Sequence, residues 1–323
     1  MGFSSLLGQA TAVQTLERAL QSGQVHHAYR FEGPEGVGKE LAALRLAQAL
    51  VCETGNALGC ETCSPCRRAI TFTDQAPSVP QHPDVLLVQR GLYPASLVGS
   101  AEATGIGVEQ VRRIVLGRVG YPPHEGRALV IIVRDADELT VSAANALLKT
   151  LEEPGPKTHF VLLTSRPNRL LDTVRSRTLA VRFRPLADEL VADLLEKNGA
   201  PRSAAALAQG SVSLGLRLAD AEALAERDAF VEAADRALSE EDLARAIAFA
   251  ERRSEDRDGL KSLLSHLAYI YALRARDAIA AGLAGGERWA ERYAQVMRAS
   301  DEVERNAQPA LALEALVTRL RRT

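Results

Sequence analysis

Two groups of residues in this 323-residue chain have types and spacings that do chemistry. The first is Cys52, Cys60, Cys63 and Cys66, all four cysteines of the chain, gathered within 15 residues. Cysteines packed this closely in sequence point to one site rather than to scattered core thiols. Four thiolates suit tetrahedral Zn²⁺ and complete its shell, so the implied role is structural. Overlapping C-x-x-C steps also occur in iron–sulfur ligation, although the downstream fourth Cys of ferredoxin-type runs is missing. Metal-free thiols are the third reading. The second group is Gly33-Pro34-Glu35-Gly36-Val37-Gly38-Lys39, which fits the first seven positions of the phosphate-binding loop G-x-x-x-x-G-K-[ST]. Its glycines let successive backbone N–H groups face one concavity, the following helix adds its positive end, and Lys39 reaches the β and γ phosphates.

The eighth position of that loop is Glu40, where a Ser or Thr hydroxyl would hold Mg²⁺. A second departure lies in the apolar run Leu129 to Val133. It is followed by Arg134-Asp135, so a cation stands where a magnesium-holding carboxylate belongs. Repulsion between that cation and a divalent ion at a few ångströms costs several kcal/mol unless screened. A one-residue shift of register, with Asp135 or Asp137 as the metal carboxylate, is the competing reading. ATP or ADP binding is expected to be weak and hydrolysis absent.

These residues need elements to hold them. Apolar spacing predicts a helix before Gly23, a short strand over 28–31, the loop 33–38, and a helix whose stripe is Leu41, Leu44, Ala47 and Leu50. Val85 to Val88, Leu129 to Val133 and Phe160 to Leu163 read as further buried strands, and Ser142 to Leu151 as a helix closed by Glu152-Glu153-Pro154. Apolar strands alternating with helices imply an α/β fold with a parallel sheet covered on both faces. After Pro185 the chain reads as Ala-rich helices with no strand. Breaks fall at Gly199-Ala200-Pro201, Gly210-Ser211, Gly259 and Gly282 to Gly286.

Composition limits the function classes. Hydrophobic residues make up 46%, charged residues 25% and aromatics 4%, so the core rests on Leu, Val, Ile and Ala. With 39 basic and 41 acidic residues, a strongly basic nucleic-acid coat is excluded, while a local basic surface is not. The Arg-rich end, Arg319, Arg321 and Arg322, reads as a basic tail or as a solvated helix end. No apolar run approaches about 18 residues, and the first residues carry no leader pattern, so a cytoplasmic, non-membrane protein is expected.

The motifs together resemble the clamp-loader ATPase family of bacterial replicative DNA polymerase. The resemblance runs from Gly8-Gln9 through His27-Ala28-Tyr29, the phosphate loop, the four cysteines and His82-Pro83-Asp84. It continues through Asn145-Ala146-Leu147-Leu148-Lys149-Thr150-Leu151-Glu152-Glu153-Pro154, its most specific stretch, and Ser176-Arg177, with Thr178 where the family carries Cys. It implies an AAA+ P-loop module over 1–185 with an embedded zinc module at 52–66. A small helical lid over 186–221 and an all-α collar over 222–323 follow. It further implies that Arg177 is an arginine finger acting on a neighbouring subunit's ATP. Gly33, Gly36, Gly38, Lys39, Glu40 and Thr164, the last at the sensor-1 position, would line the nucleotide site. Family motors carry an Arg in the lid where this chain has Ser213. With Glu40 and Arg134, this departure resembles the non-hydrolysing delta-prime branch rather than the gamma/tau motors. The implied partners are gamma/tau and delta subunits in a five-membered ring and, through it, the sliding clamp and primed DNA. An active gamma/tau-type motor and a stand-alone AAA+ regulator are the alternatives.

Overall fold

The computed structural model describes residues 2–98, 105–125, 127–155, 157–219, 221–240, 242, 257–283, 285–305 and 307–323. The chain divides into two compact units, Met1–Gly215 and Leu216–Thr323.

The first unit is built on a five-stranded sheet: β1 (Ala28–Glu32), β2 (Val85–Val88), β3 (Leu129–Val133), β4 (Thr158–Thr164) and β5 (Leu179–Arg182). The strand order is β2-β3-β4-β1-β5 and every pairing is parallel. Parallel strands need crossovers, and helices provide them. α1 (Ala10–Gln21) precedes the first strand, and the crossovers in chain order are α2 (Lys39–Val51), α3 (Ser64–Ile70), the helical stretch 108–119, α4 (Val141–Glu152) and α5 (Asp172–Arg175). Side chains alternate between the faces. Tyr29, Phe31, Val130, Ile132, Val161 and Leu163 pack with Leu16, Ala42 and Leu46 on one face. Ala28, Leu129, Ile131, Phe160 and Leu162 pack with Val111, Leu147 and Leu151 on the other. Burying each large apolar side chain contributes about 1.5–3 kcal/mol, so two covered faces explain why β2 and β3 are apolar throughout.

The four strands legible in the sequence are all present, with the last extended to Thr158–Thr164. β5 was not expected. It is an edge strand with only Val181 buried, so it carries no apolar run, and β1 alone supplies its ladder. α4 matches its expected span to one residue at each end. The Thr140 hydroxyl caps its start by accepting from the Ala143 N–H at 3.2 Å. Pro154 disfavours helical backbone at Glu153, which closes it. After β5 come α6 (Asp188–Lys197), a 3₁₀ turn (Arg202–Leu207) and α7 (Val212–Ala219), separated at the expected breaks. The boundary between the two units falls inside α7.

All described elements beyond α7 are helical: α8 (Ala221–Ser239), α9 (Arg257–Ala280), α10 (Gly286–Glu304) and α11 (Pro309–Leu320). Phe230, Leu264, Leu267, Tyr271, Val296 and Leu313 form their core. The break expected at Gly259 does not occur, because Gly259 lies inside α9. The break at Gly282 to Gly286 does, with Gly282 and Gly285 both at positive φ. The Arg-rich end is not a free basic tail. Arg319 makes a two-pronged pair with Glu302 at 2.7 and 2.9 Å, and Arg321 donates to the Ala237 carbonyl.

Candidate functional site

Three strands bring the phosphate-loop residues together at their C-terminal ends, where parallel sheets place ligands. β1 runs into Gly33 to Gly38, β3 into Arg134 to Asp137, and β4 into Thr164 and Arg166. Gly33, Gly36 and Gly38 all have φ in the left-handed region. A Cβ at Gly33 would collide with the Phe183 carbonyl, and one at Gly36 with the hydroxyls of Ser211 and Ser213. The loop backbone therefore needs these glycines. The Val212 N–H donates to the Gly36 carbonyl at 3.1 Å, so the start of α7 closes directly on the loop.

Within this frame the charged side chains are held by one another and by the backbone. Lys39 Nζ folds back and donates to the Gly33 and Pro34 carbonyls of its own loop. Its burial holds its pKa below the ordinary lysine value, although Glu35, Asp135 and Asp137 pull the other way. The two departures from the nucleotide motif meet: Arg134 Nη2 donates to Glu40 Oε1. Arg134 Nη1 donates to Gln89 Oε1 at 2.8 Å, and its guanidinium lies 5.8 Å from the Phe72 ring centre. Positions 40 and 134, expected from the sequence to carry the Mg²⁺-holding hydroxyl and carboxylate, thus hold an anion and a cation paired with each other. Asp137 is not a spare metal carboxylate either. It accepts from Thr164 Oγ1 at 2.6 Å and from Arg166 Nε at 2.8 Å. Thr164, expected at the nucleotide, is buried and committed to that bond. Asp135 has a left-handed backbone, and its carboxyl is pushed above the ordinary range by burial, with Glu138, Asp137 and Glu35 adding to the effect.

Arg177 sits elsewhere, just beyond α5 in an open cleft of about 630 Å³ whose lining includes His26, His27, Glu152, Ser176 and Leu179. It pairs with Glu152 of its own chain, the salt-bridge arrangement expected of an Arg near a helix end. Thr178, in place of the family's Cys, is buried. It accepts from Arg30 Nη1 at 2.7 Å and donates to the Val174 carbonyl at 3.0 Å, tying β1 to the end of α5.

The four cysteines come together where α2 ends and α3 begins. Their Sγ atoms all lie within 4.8 Å of one another, and all four thiols are free. Tetrahedral Zn–S bonds of about 2.3 Å set sulfurs about 3.8 Å apart, and Cys60 Sγ lies 3.9 Å from Cys66 Sγ. Backbone N–H groups point at the sulfurs: Cys60 N to Cys52 Sγ at 3.4 Å and Cys63 N to Cys60 Sγ at 3.3 Å. The Cys63 amide bond, helped by Thr62, lowers the Cys60 pKa to about 5, while burial pushes the Cys66 thiol up. This donor set fits one four-coordinate soft metal.

A family model described as DNA polymerase III, delta subunit, matches residues 8–187. The chain belongs to this family. Within the delta-subunit family and its relatives, the chain is 34% identical over 226 residues to the DNA polymerase III delta′ subunit of Bacillus subtilis. That alignment covers 69% of this chain and 61% of the relative. It is 33% identical over 195 residues to the gamma/tau subunit of Mycobacterium tuberculosis, covering 60% of this chain and 31% of that one. The chain thus spans less than two thirds of the curated relatives it matches. A solved gamma-subunit-related protein from Thermotoga maritima shares the fold, with a TM-score of 0.50 and 17% identity over 96% of this chain and 99% of that one.

Two residues that matter here were not singled out individually from sequence. Glu152 is read from sequence as part of the stretch closing a helix and of the family run, not as a partner of Arg177, which lies 25 positions away. Arg166 follows the sensor position without a motif of its own, and its tie to Asp137 depends on β3 lying beside β4.

Proposed function

We propose that this member of the delta-subunit family is a delta-prime-type stator of the bacterial replicative clamp loader, folded as an AAA+ module. In this reading it joins gamma/tau and delta subunits in a five-membered ring in the cytoplasm. The ring loads the sliding clamp onto primed DNA at the expense of ATP. This chain hydrolyses none itself and supplies Arg177 to a neighbour's nucleotide. The division into an AAA+ module at 1–185, a lid at 186–221 and an oligomerising collar at 222–323 belongs to the same proposal. So does one structural Zn²⁺ held by Cys52, Cys60, Cys63 and Cys66.

The observation that carries the reading is the Glu40–Arg134 ion pair. Phosphoryl transfer in P-loop enzymes depends on Mg²⁺ held by a loop hydroxyl and a strand-end carboxylate. Here those positions neutralise each other, and Asp137 is held by Thr164 and Arg166. Lys39 and the loop amides leave weak phosphate or nucleotide binding open. The test is the ATPase rate of the purified chain beside that of the ring reconstituted with wild-type or Arg177→Ala chain, with assembly followed by gel filtration. The chain alone should show no turnover. The Arg177→Ala ring should assemble normally and lose part of its DNA- and clamp-stimulated ATPase. The loss should fall short of the roughly 10³- to 10⁵-fold reported for single-site fingers, because only one of several sites is touched. A robust rate in the isolated chain that vanishes with Lys39→Ala would promote the gamma/tau-type motor instead.

A further inference from the structure

Four of the five N–H groups of the Arg177 guanidinium are engaged within its own chain. Nε and Nη2 both donate to Glu152 Oε1. Nη1 donates to the Thr173 carbonyl at 2.9 Å and to Ser176 Oγ at 3.2 Å. The two contacts differ in kind. Thr173 and Ser176 belong to the same short segment as Arg177 and move with it. Glu152 comes from a different element, the last residue of α4, and so fixes the guanidinium relative to the sheet. The end of α4 is itself anchored, because His27 Nε2–H, just before β1, donates to the Leu151 carbonyl at 2.9 Å. Glu152 is the only carboxylate among the described residues that line the cleft.

We infer that Glu152 is the positioning residue for Arg177: it grips the inner Nε/Nη2 edge of the guanidinium and leaves the remaining Nη2 hydrogen, with the exchangeable contact to Ser176, as the donors for a phosphate oxygen on a neighbouring subunit. This rests on the finger reading above. A long side chain held in one rotamer before its ligand arrives gives up less freedom on binding than a free one. The half-exposed carboxylate balances the charge of the guanidinium without closing the cleft.

The test uses rings reconstituted with wild-type, Glu152→Ala, Glu152→Gln, Arg177→Ala and the Glu152→Ala/Arg177→Ala chain, scored by kcat and KM of the DNA-stimulated ATPase. Glu152→Ala should lower kcat by about two- to tenfold, the weight of one freed long side chain, with KM for ATP unchanged. Glu152→Gln keeps an accepting oxygen at the same place and should retain most of the rate. In the Arg177→Ala background, Glu152→Ala should change nothing further. On the isolated full chain, the Arg177 Nε–H resonance should be sharp and slow to exchange in the wild type, and lost in Glu152→Ala. A faster ring with Glu152→Ala would make the carboxylate a restraint and overturn the inference. An equal loss in the Arg177→Ala background would overturn it by locating the effect elsewhere. A large loss with Arg177→Ala beside none with Glu152→Ala would leave the finger standing and remove its positioning residue. No loss with Arg177→Ala would remove both.

Discussion

At the phosphate loop the charged side chains are taken up by one another and by neighbouring polar groups, whereas at the cysteine cluster four side chains converge on one small volume. Lys39 turns to its own loop carbonyls, Glu40 to Arg134, and Asp137 to Thr164 and Arg166. The four sulfurs lie within 4.8 Å of one another, backbone N–H groups are aimed at those of Cys52 and Cys60, and the 3.9 Å between Cys60 and Cys66 is close to the edge of a Zn–S tetrahedron. Both regions carry recognisable motifs. The difference teaches that the same kind of sequence signal can end in side chains whose charges complete one another or in side chains that converge as a donor set.

The largest effect expected from breaking this contrast is at the cysteines. Elemental analysis of the purified chain should find close to one zinc per molecule. Cys63→Ser should release it and lower the melting temperature by about 10 °C, since a structural site couples metal binding to folding. No metal, or a visible iron–sulfur absorption band, would end the contrast on that side.

A smaller effect should come from undoing the ion pair. Glu40→Thr together with Arg134→Asp restores the hydroxyl and carboxylate that hold Mg²⁺ in P-loop enzymes. The double variant should bind ATP in a Mg²⁺-dependent way at least about tenfold more tightly than the wild type, a difference of about 1.4 kcal/mol. Isothermal titration with and without Mg²⁺ measures it. Each single variant should gain less, because it leaves one charge unpaired. If the double variant binds no better, the loop is closed by Lys39 and by Ser211 and Ser213 rather than by the ion pair. The pair itself contributes little to stability, about 0.3–1 kcal/mol of coupling in a double-mutant cycle, since Glu40 is 41% exposed.

The smallest effect concerns Asp135. Its carboxyl is held above the ordinary range mainly by burial, so the folded state takes up its proton more readily than the unfolded state. A group shifted in that direction supports the fold when protonated and costs stability as pH rises through its folded pKa. Asp135→Asn removes that cost, and Asn tolerates the left-handed backbone at φ 47°. Thermal melts should show a gain of about 1–3 °C at pH 7 that fades below the ordinary carboxylate range. An unchanged or lower melting temperature at pH 7 would place the acidic crowding elsewhere.

Much of this was legible from residue types alone. The buried strands announced themselves as apolar runs, because a sheet covered on both faces has no polar side to alternate with. α4 was legible through its periodicity and Pro154. β5 was hidden because an edge strand with one buried residue has no such signature. Gly259 misled because tertiary packing overrides the weak helix preference of a single glycine. At the site, Glu40 and Arg134 were each legible as departures, but not as a pair. They are 94 residues apart, and only the placement of β3 brings Arg134 to the start of α2.

The chain by itself determined which chemistry was possible: a loop whose glycines allow tight backbone turns, four thiols within one short segment, the Ser176-Arg177 pair, and the family run from Asn145 to Pro154. Only the tertiary structure decided how those groups are used. Charge pairing and convergence act over a few ångströms in space, and the spacing of residues along the chain carries no information about which distant carboxylate will lie there.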